Sequence, residues 1–146
     1  MKAVLYTDGA SFNNPGPSGL GIVLLVDGEE VVAKAVDAGY GTNNQAEYRA
    51  LIEGLKEALA YGVTDLLVRA DSQLLIKQML GEYKVKNKNI LPLRMEAEAL
   101  ARKFDTIGFE HVRREFNERA DGLSKAGAEA AKARGVRGPS SQELFE

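Results

Sequence analysis

At 146 residues, with 45% hydrophobic and 27% charged residues, the chain has the composition of one soluble globular domain with room for a substantial core. It has no cysteine, which excludes disulfides and thiolate metal sites, and no apolar run long enough to span a bilayer. The formal net charge of −2 gives no global sign of a polyanionic partner, and a cytoplasmic location is the expectation.

In chain order, residues 2–8 read as an apolar strand ending in Asp8, followed by a loop over 9–19 rich in Gly, Asn, Pro and Ser. Residues 20–26 form a second strand, Asp27-Gly28 a hairpin turn, and 31–36 the returning strand. A helix starts near Asn43, where Thr42-x-x-Gln45 has capping-box form, runs to Ala60, and meets Gly62 at its C-terminal end. A short strand over 66–70, a short helix over 72–80, a polar loop over 81–89 and a helix over 91–104 come next. A strand over 107–112 and a helix over 117–133 complete the pattern. Residues 1–134 form one domain, and the polar segment 135–146 is expected to be a flexible tail. The order β-β-β-α-β-α-α-β-α predicts an α/β fold. It is a mixed five-stranded sheet, three strands antiparallel and the later ones parallel through helical crossovers, flanked by helices.

Four acidic residues stand out in this frame: Asp8 and Asp71 at strand ends, Glu47 in the first turn of a helix, and Asp121 early in the last helix. Sites collect at the C-terminal ends of strands in open α/β sheets, so Asp8 and Asp71 can meet there. Glu47 shares a stripe with Leu51, Gly54 and Ala58 that faces the sheet, and Asp121 shares a face with Ser124, Lys125 and Ala128. Each residue alone reads as a cap or a solvated charge. Together, without basic partners in their own segments, they predict a site for a hard divalent cation such as Mg²⁺. Two such ions about 4 Å apart suit phosphodiester hydrolysis and need no nucleophilic side chain.

These residues sit in recognisable settings. Thr7-Asp8-Gly9-Ala10-Ser11 followed by Asn14-Pro15-Gly16-Pro17-Ser18-Gly19 resembles the opening of type 1 ribonuclease H. Thr42-Asn43-Asn44-x-x-Glu47, Asp71-Ser72-Gln73 and Asn117-Glu118-Arg119-Ala120-Asp121 resemble its later motifs, in the right order over residues 1–131. The resemblance implies the ribonuclease H-like fold and hydrolysis of the RNA strand of RNA–DNA hybrids, leaving 3′-hydroxyl and 5′-phosphate ends. It implies two Mg²⁺ ions, with Mn²⁺ as a substitute. Asp8 would bridge both, Asp121 would hold the ion at the attacking water, and Glu47 and Asp71 the ion at the leaving group. Asn14, Asn43, Asn44 and Gln73 match positions that contact the hybrid's minor groove, where amides can read 2′-hydroxyls. Double-stranded RNA is a further candidate substrate, and a monomer is expected.

Two departures from the family pattern matter. The segment Arg113-Arg114-Glu115-Phe116 is too short for the loop that carries a catalytic histidine in many members. The one histidine, His111, lies in a predicted strand and reads as structural. The basic helix and loop that some members insert is also missing, leaving Lys84, Lys86 and Lys88 as the local substrate-binding cations. The rivals are another nuclease of the same fold, and a hybrid-binding module without catalysis. The four retained carboxylates argue against the second, because they would repel one another without a metal.

Overall fold

The computed structural model describes residues 1–138. Its strands are β1 (Lys2–Ser11), β2 (Gly16–Val26), β3 (Glu29–Gly41), β4 (Asp65–Ala70) and β5 (Thr106–His111). Its helices are α1 (Asn43–Tyr61), α2 (Gln73–Met79), α3 (Leu91–Ala101) and α4 (Glu118–Ala133), with a short 3₁₀ turn at Arg114–Phe116. The sheet order is β3-β2-β1-β4-β5. β1 pairs antiparallel with β2 and parallel with β4, and β4 pairs parallel with β5. This is the mixed five-stranded α/β sheet that the element order predicts. Among the described residues, no helix is long and apolar enough to cross a membrane.

The main core lies between the sheet and α1, built on Leu5, Ile22, Leu24, Leu51, Leu55 and Val68, with Ile90 and Ala97 closing it from the α3 side. α1 is delimited as its end signals require. The Thr42 hydroxyl accepts from the Gln45 amide, the Gln45 side chain accepts from the Thr42 amide, and Gly62 takes a left-handed φ of 98°. α4 packs on the opposite face, through Ala120, Ser124, Gly127, Ala128 and Ala131.

Small residues set how near these helices come. A Cβ on Gly21 would stand 1.9 Å from the Ala120 carbonyl oxygen, and one on Gly19 would stand 2.0 Å from the Ala128 amide nitrogen. A Cβ on Gly9 would stand 2.3 Å from the carbonyl carbon of Ala46 in α1. Backbone therefore rests on backbone on both faces of the β1–β2 pair.

The structure corrects three expectations. The loop expected over 9–19 is mostly strand: Gly9 pairs with Leu20, Ala10 with Gly19 and Ser11 with Ser18. Residues 12–15 alone make the turn, closed by the Phe12 amide donating to the Pro17 carbonyl. Gly, Ser and Pro have poor strand propensity, but here the neighbouring ladder and the overlying helices decide. The helix expected to reach 104 ends at Ala101, and a turn carries the chain to the buried Phe104. His111, expected inside a strand over 107–112, is instead the last residue of β5 and is exposed, so its structural part is limited to that strand end. At the tail, Gly135 takes φ 77° and its amide donates to the Lys132 carbonyl, while residues 139–146 lie outside the described residues.

Gly21→Ala should lower stability by about 1–3 kcal/mol, because neither backbone can retreat. Gly122→Ala, on α4 but facing open space, should raise it slightly. Urea unfolding of both variants checks the sign. His111→Ala should change stability by about 0.5 kcal/mol or less, as for other exposed positions.

Candidate metal centre

The parallel pairing of β1 with β4 ends at Thr7 opposite Ala70, so Asp71 follows the end of β4 beside Asp8, which lies within β1 and not at its end as expected, because β1 continues along β2 to Ser11. The Gly9 contact brings the first turn of α1 down onto β1, carrying Glu47 to the same point. Each of Asp8, Glu47 and Asp71 offers a carboxylate oxygen, and these three oxygens lie within 4.8 Å of one another. Asp8 is only 4% exposed. Its Oδ1 accepts from the Gly9 amide at 3.0 Å, and the Ser124 hydroxyl reaches its Oδ2 at 3.2 Å. The Glu47 Oε2 is fully shielded and has no hydrogen-bond partner among the described residues.

Asp121, the fourth predicted ligand, stands on the flank of this cluster. It approaches Asp8 closely enough to share a hydrogen bond, and the Lys125 ammonium one helical turn on pairs with it at 2.9 Å. The Asn117 amide anchors the start of α4 by donating to the Thr7 carbonyl at 3.0 Å, one residue before Asp8.

The electrostatics follow from this crowding. Burial, then the charge of Asp71 and the approach of Asp121, push the Asp8 carboxyl up to about 7. Burial, then the charges of Asp8 and Asp71, push Glu47 well above the usual carboxylate range. For Asp121, partial burial pulls upward, but Lys125, the hydrogen bond with Asp8 and Arg114 outweigh it and hold the carboxyl low. A cluster in which burial and mutual repulsion push the Asp8 and Glu47 carboxyls upward, with a shielded Glu47 oxygen that lacks a partner among the described residues, has the donor set of a hard divalent cation. The residues fit Mg²⁺ in donor chemistry, since every converging atom is a carboxylate oxygen.

Beside the cluster, Asn14, Thr42, Asn43, Asn44, Glu47, Ser72 and Asn87 line an open groove of about 550 Å³. The Asn14 Oδ1 accepts from the Asn43 amide at 2.9 Å and the Asn43 Oδ1 from the Ser11 amide at 2.8 Å, which leaves both side-chain NH₂ groups without a partner among the described residues. Of the predicted substrate residues, Asn14, Asn43 and Asn44 line this groove. Gln73 opens α2 on an exposed position outside its lining, and Lys84, Lys86 and Lys88 are exposed along the segment before α3. Sequence reasoning missed Thr42, Ser72 and Asn87 in the groove, and Asn117 and Ser124 at the acids. Asn87 lies between two of the singled-out lysines, and the sequence puts Ser124 on the face of Asp121 but signals no role for it. An apolar cavity of about 500 Å³ lies at the other end of the sheet, against Lys2, Asp65 and Thr106, remote from the acids.

Comparison with known proteins agrees with this geometry. Residues 6–127 match the family described as reverse transcriptase-like. Bifunctional protein Rv2228c of Mycobacterium tuberculosis is 44% identical over 133 residues, covering 90% of this chain. The chain spans only about a third of that relative, 36% of its length. The crystal structure of RNase H1 from the halophilic archaeon Halobacterium salinarum superposes with a TM-score of 0.87 at 40% identity, covering 90% of this chain and 100% of that one. LC11-RNase H1, solved in complex with an RNA/DNA hybrid, gives a TM-score of 0.83 at 33% identity, covering 88% of this chain and 98% of that one. With the fold, the acidic cluster and these relatives in agreement, the chain belongs to the ribonuclease H family.

Proposed function

We propose that this chain is a metal-dependent endoribonuclease that hydrolyses the RNA strand of RNA–DNA hybrids, leaving 3′-hydroxyl and 5′-phosphate ends. The observation that carries this reading is the convergence of Asp8, Glu47 and Asp71 beside a groove of amide and hydroxyl side chains. Membership of the family, and the hybrid held by LC11-RNase H1, support the substrate class. The catalytic unit is residues 1–134, acting as a cytoplasmic monomer, with double-stranded RNA as a second candidate substrate.

Asp8, Glu47, Asp71 and Asp121 would hold two Mg²⁺ ions, or Mn²⁺ in their place. On the family pattern Asp8 would serve both ions, Asp121 would serve the one that activates the attacking water, and Glu47 and Asp71 the one at the leaving group. Bound there, the ions would supply Lewis acidity to the attacking water and the departing 3′ oxygen. The chain's own residues do the rest. Asn14 and Asn43, their carbonyl oxygens already engaged, donate from NH₂ to 2′-hydroxyls or base acceptors in the minor groove. Asn44 lines the same groove, and Gln73 stands at its margin on α2. The Ser124 hydroxyl and the Gly9 amide hold the Asp8 carboxylate in place. Lys84, Lys86 and Lys88, with no carboxylate partner among the described residues, lie free to meet backbone phosphates.

Strand-labelled hybrid with Mg²⁺ should be cut in the RNA strand only, and not in EDTA. Asp8→Asn and Asp71→Asn should each lower turnover by roughly a thousandfold or more while the fold persists. Cutting of duplex DNA would instead indicate another nuclease activity on this scaffold, and metal-independent hybrid binding without cutting would indicate a binding module.

Protons and divalent ions compete for the same oxygens. Asp8 rises from 3.8 to about 7 on folding, so its protonated form stabilises the metal-free protein fully below about pH 4. That contribution is lost as pH climbs through 7. The metal-free Tm should therefore fall between pH 4 and 8, saturating Mg²⁺ should offset the fall, and Asp8→Asn should flatten it. Thermal scans with Mg²⁺ or EDTA test this; a metal-free Tm that rises over that range would refute it.

Replacing Lys84, Lys86 and Lys88 together by alanine should weaken hybrid binding and reduce the slope of log affinity against log salt. Equal slopes for parent and variant would remove these lysines from the interface.

A further inference from the structure

Glu47 and Asp71 reach the metal centre from different elements, α1 and the β4–α2 junction, and their negative charges repel each other. Something must hold α2 against α1. α2 is a short helix, Gln73–Met79, so its buried Leu75 and Ile76 supply only a small apolar anchor. Tyr48, the residue after Glu47, is 0% exposed, and its hydroxyl donates to the Gln78 Oε1 at 2.6 Å. Gln78 is 6% exposed, and its own carbonyl accepts from the Arg94 guanidinium of α3 at 3.1 Å. Gln78 is therefore the buried point at which α1, α2 and α3 are tied together. The helix between it and Ser72 acts as a rigid arm whose other end follows directly on Asp71.

We propose that Tyr48 and Gln78 are positioning residues for the metal centre. The hydrogen bond between them sets the spacing of α1 and α2 and holds Glu47 and Asp71 together against their repulsion. The same arm carries Ser72 into the groove and sets where the segment bearing Asn87 begins. This inference rests on the metal-dependent reading above. A neutral hydrogen bond in a dry interior suits the task, because losing one partner strands the other at a desolvation cost.

The test is Mg²⁺ and Mn²⁺ binding by titration calorimetry, without nucleic acid, on wild type, Tyr48→Phe and the double variant Tyr48→Phe/Gln78→Leu. Tyr48→Phe keeps the ring in the core and removes only the hydroxyl. Its metal affinity should fall by about tenfold, as for other residues that orient metal ligands, with turnover largely recovered at saturating Mg²⁺. The double variant removes both polar partners, so its Tm should return toward wild type while metal affinity stays weak. A folded Tyr48→Phe protein that binds both ions as wild type does, with only its Tm lowered, would make the pair a plain core contact and overturn the proposal. Wild type that binds neither ion would overturn the metal reading and this inference with it.

Discussion

The contact of backbone on backbone at Gly9, Gly19 and Gly21 is the constraint on which the rest of the molecule depends. At these positions a single methyl group would collide with the main chain of α1 or α4. Without them the helices would stand farther from the sheet by the width of a side chain. Glu47 and Asp121 ride on those helices, while Asp8 and Asp71 are attached to the sheet itself. The distance between the two sets is therefore decided by what the glycines lack. Asn117, donating to the Thr7 carbonyl, fixes the axial position of α4 on the same footing.

Bringing carboxylates this close costs energy that the fold alone does not recover. Asp8 and Glu47 answer by holding protons at unusually high pH, and the Glu47 Oε2 is left without a donor. In the ordinary core such an arrangement would be selected against. Here the same repulsion makes the site a strong claimant for divalent ions, because binding relieves it. The Asp121–Lys125 pair marks a graded centre. Three acids converge without a cation, and a fourth waits at the side with one already bound to it.

In the proposed reading, the surroundings divide the labour of recognition by chemistry. Amides and hydroxyls close to the acids suit reading of the minor groove, where geometry and 2′-hydroxyls distinguish RNA from DNA. Charge is kept at a distance, on the exposed lysines between α2 and α3. That separation explains how a chain with a net charge of −2 can still offer a local face to a polyanion.

Much was legible in the sequence because the signals are local. The Thr42–Gln45 capping box, the left-handed Gly62, the strand–helix alternation and the identities of the four acids each depend on a few neighbouring residues. What tertiary structure alone decided are the quantities that arise between distant segments. Residues 9–11 and 16–19 became strand because partners across the ladder and helices above them overrode poor propensity. Asp121 became the flanking acid, and Ser124, Asn117, Asn87 and the Tyr48–Gln78 pair acquired their places, through contacts spanning tens of residues or more in chain position. His111 fell at an exposed strand end because β5 stops where its pairing with β4 stops. Local sequence sets which chemistry is carried on each element. Distance, burial and protonation depend on how closely the elements pack, and that is a property of the assembled core.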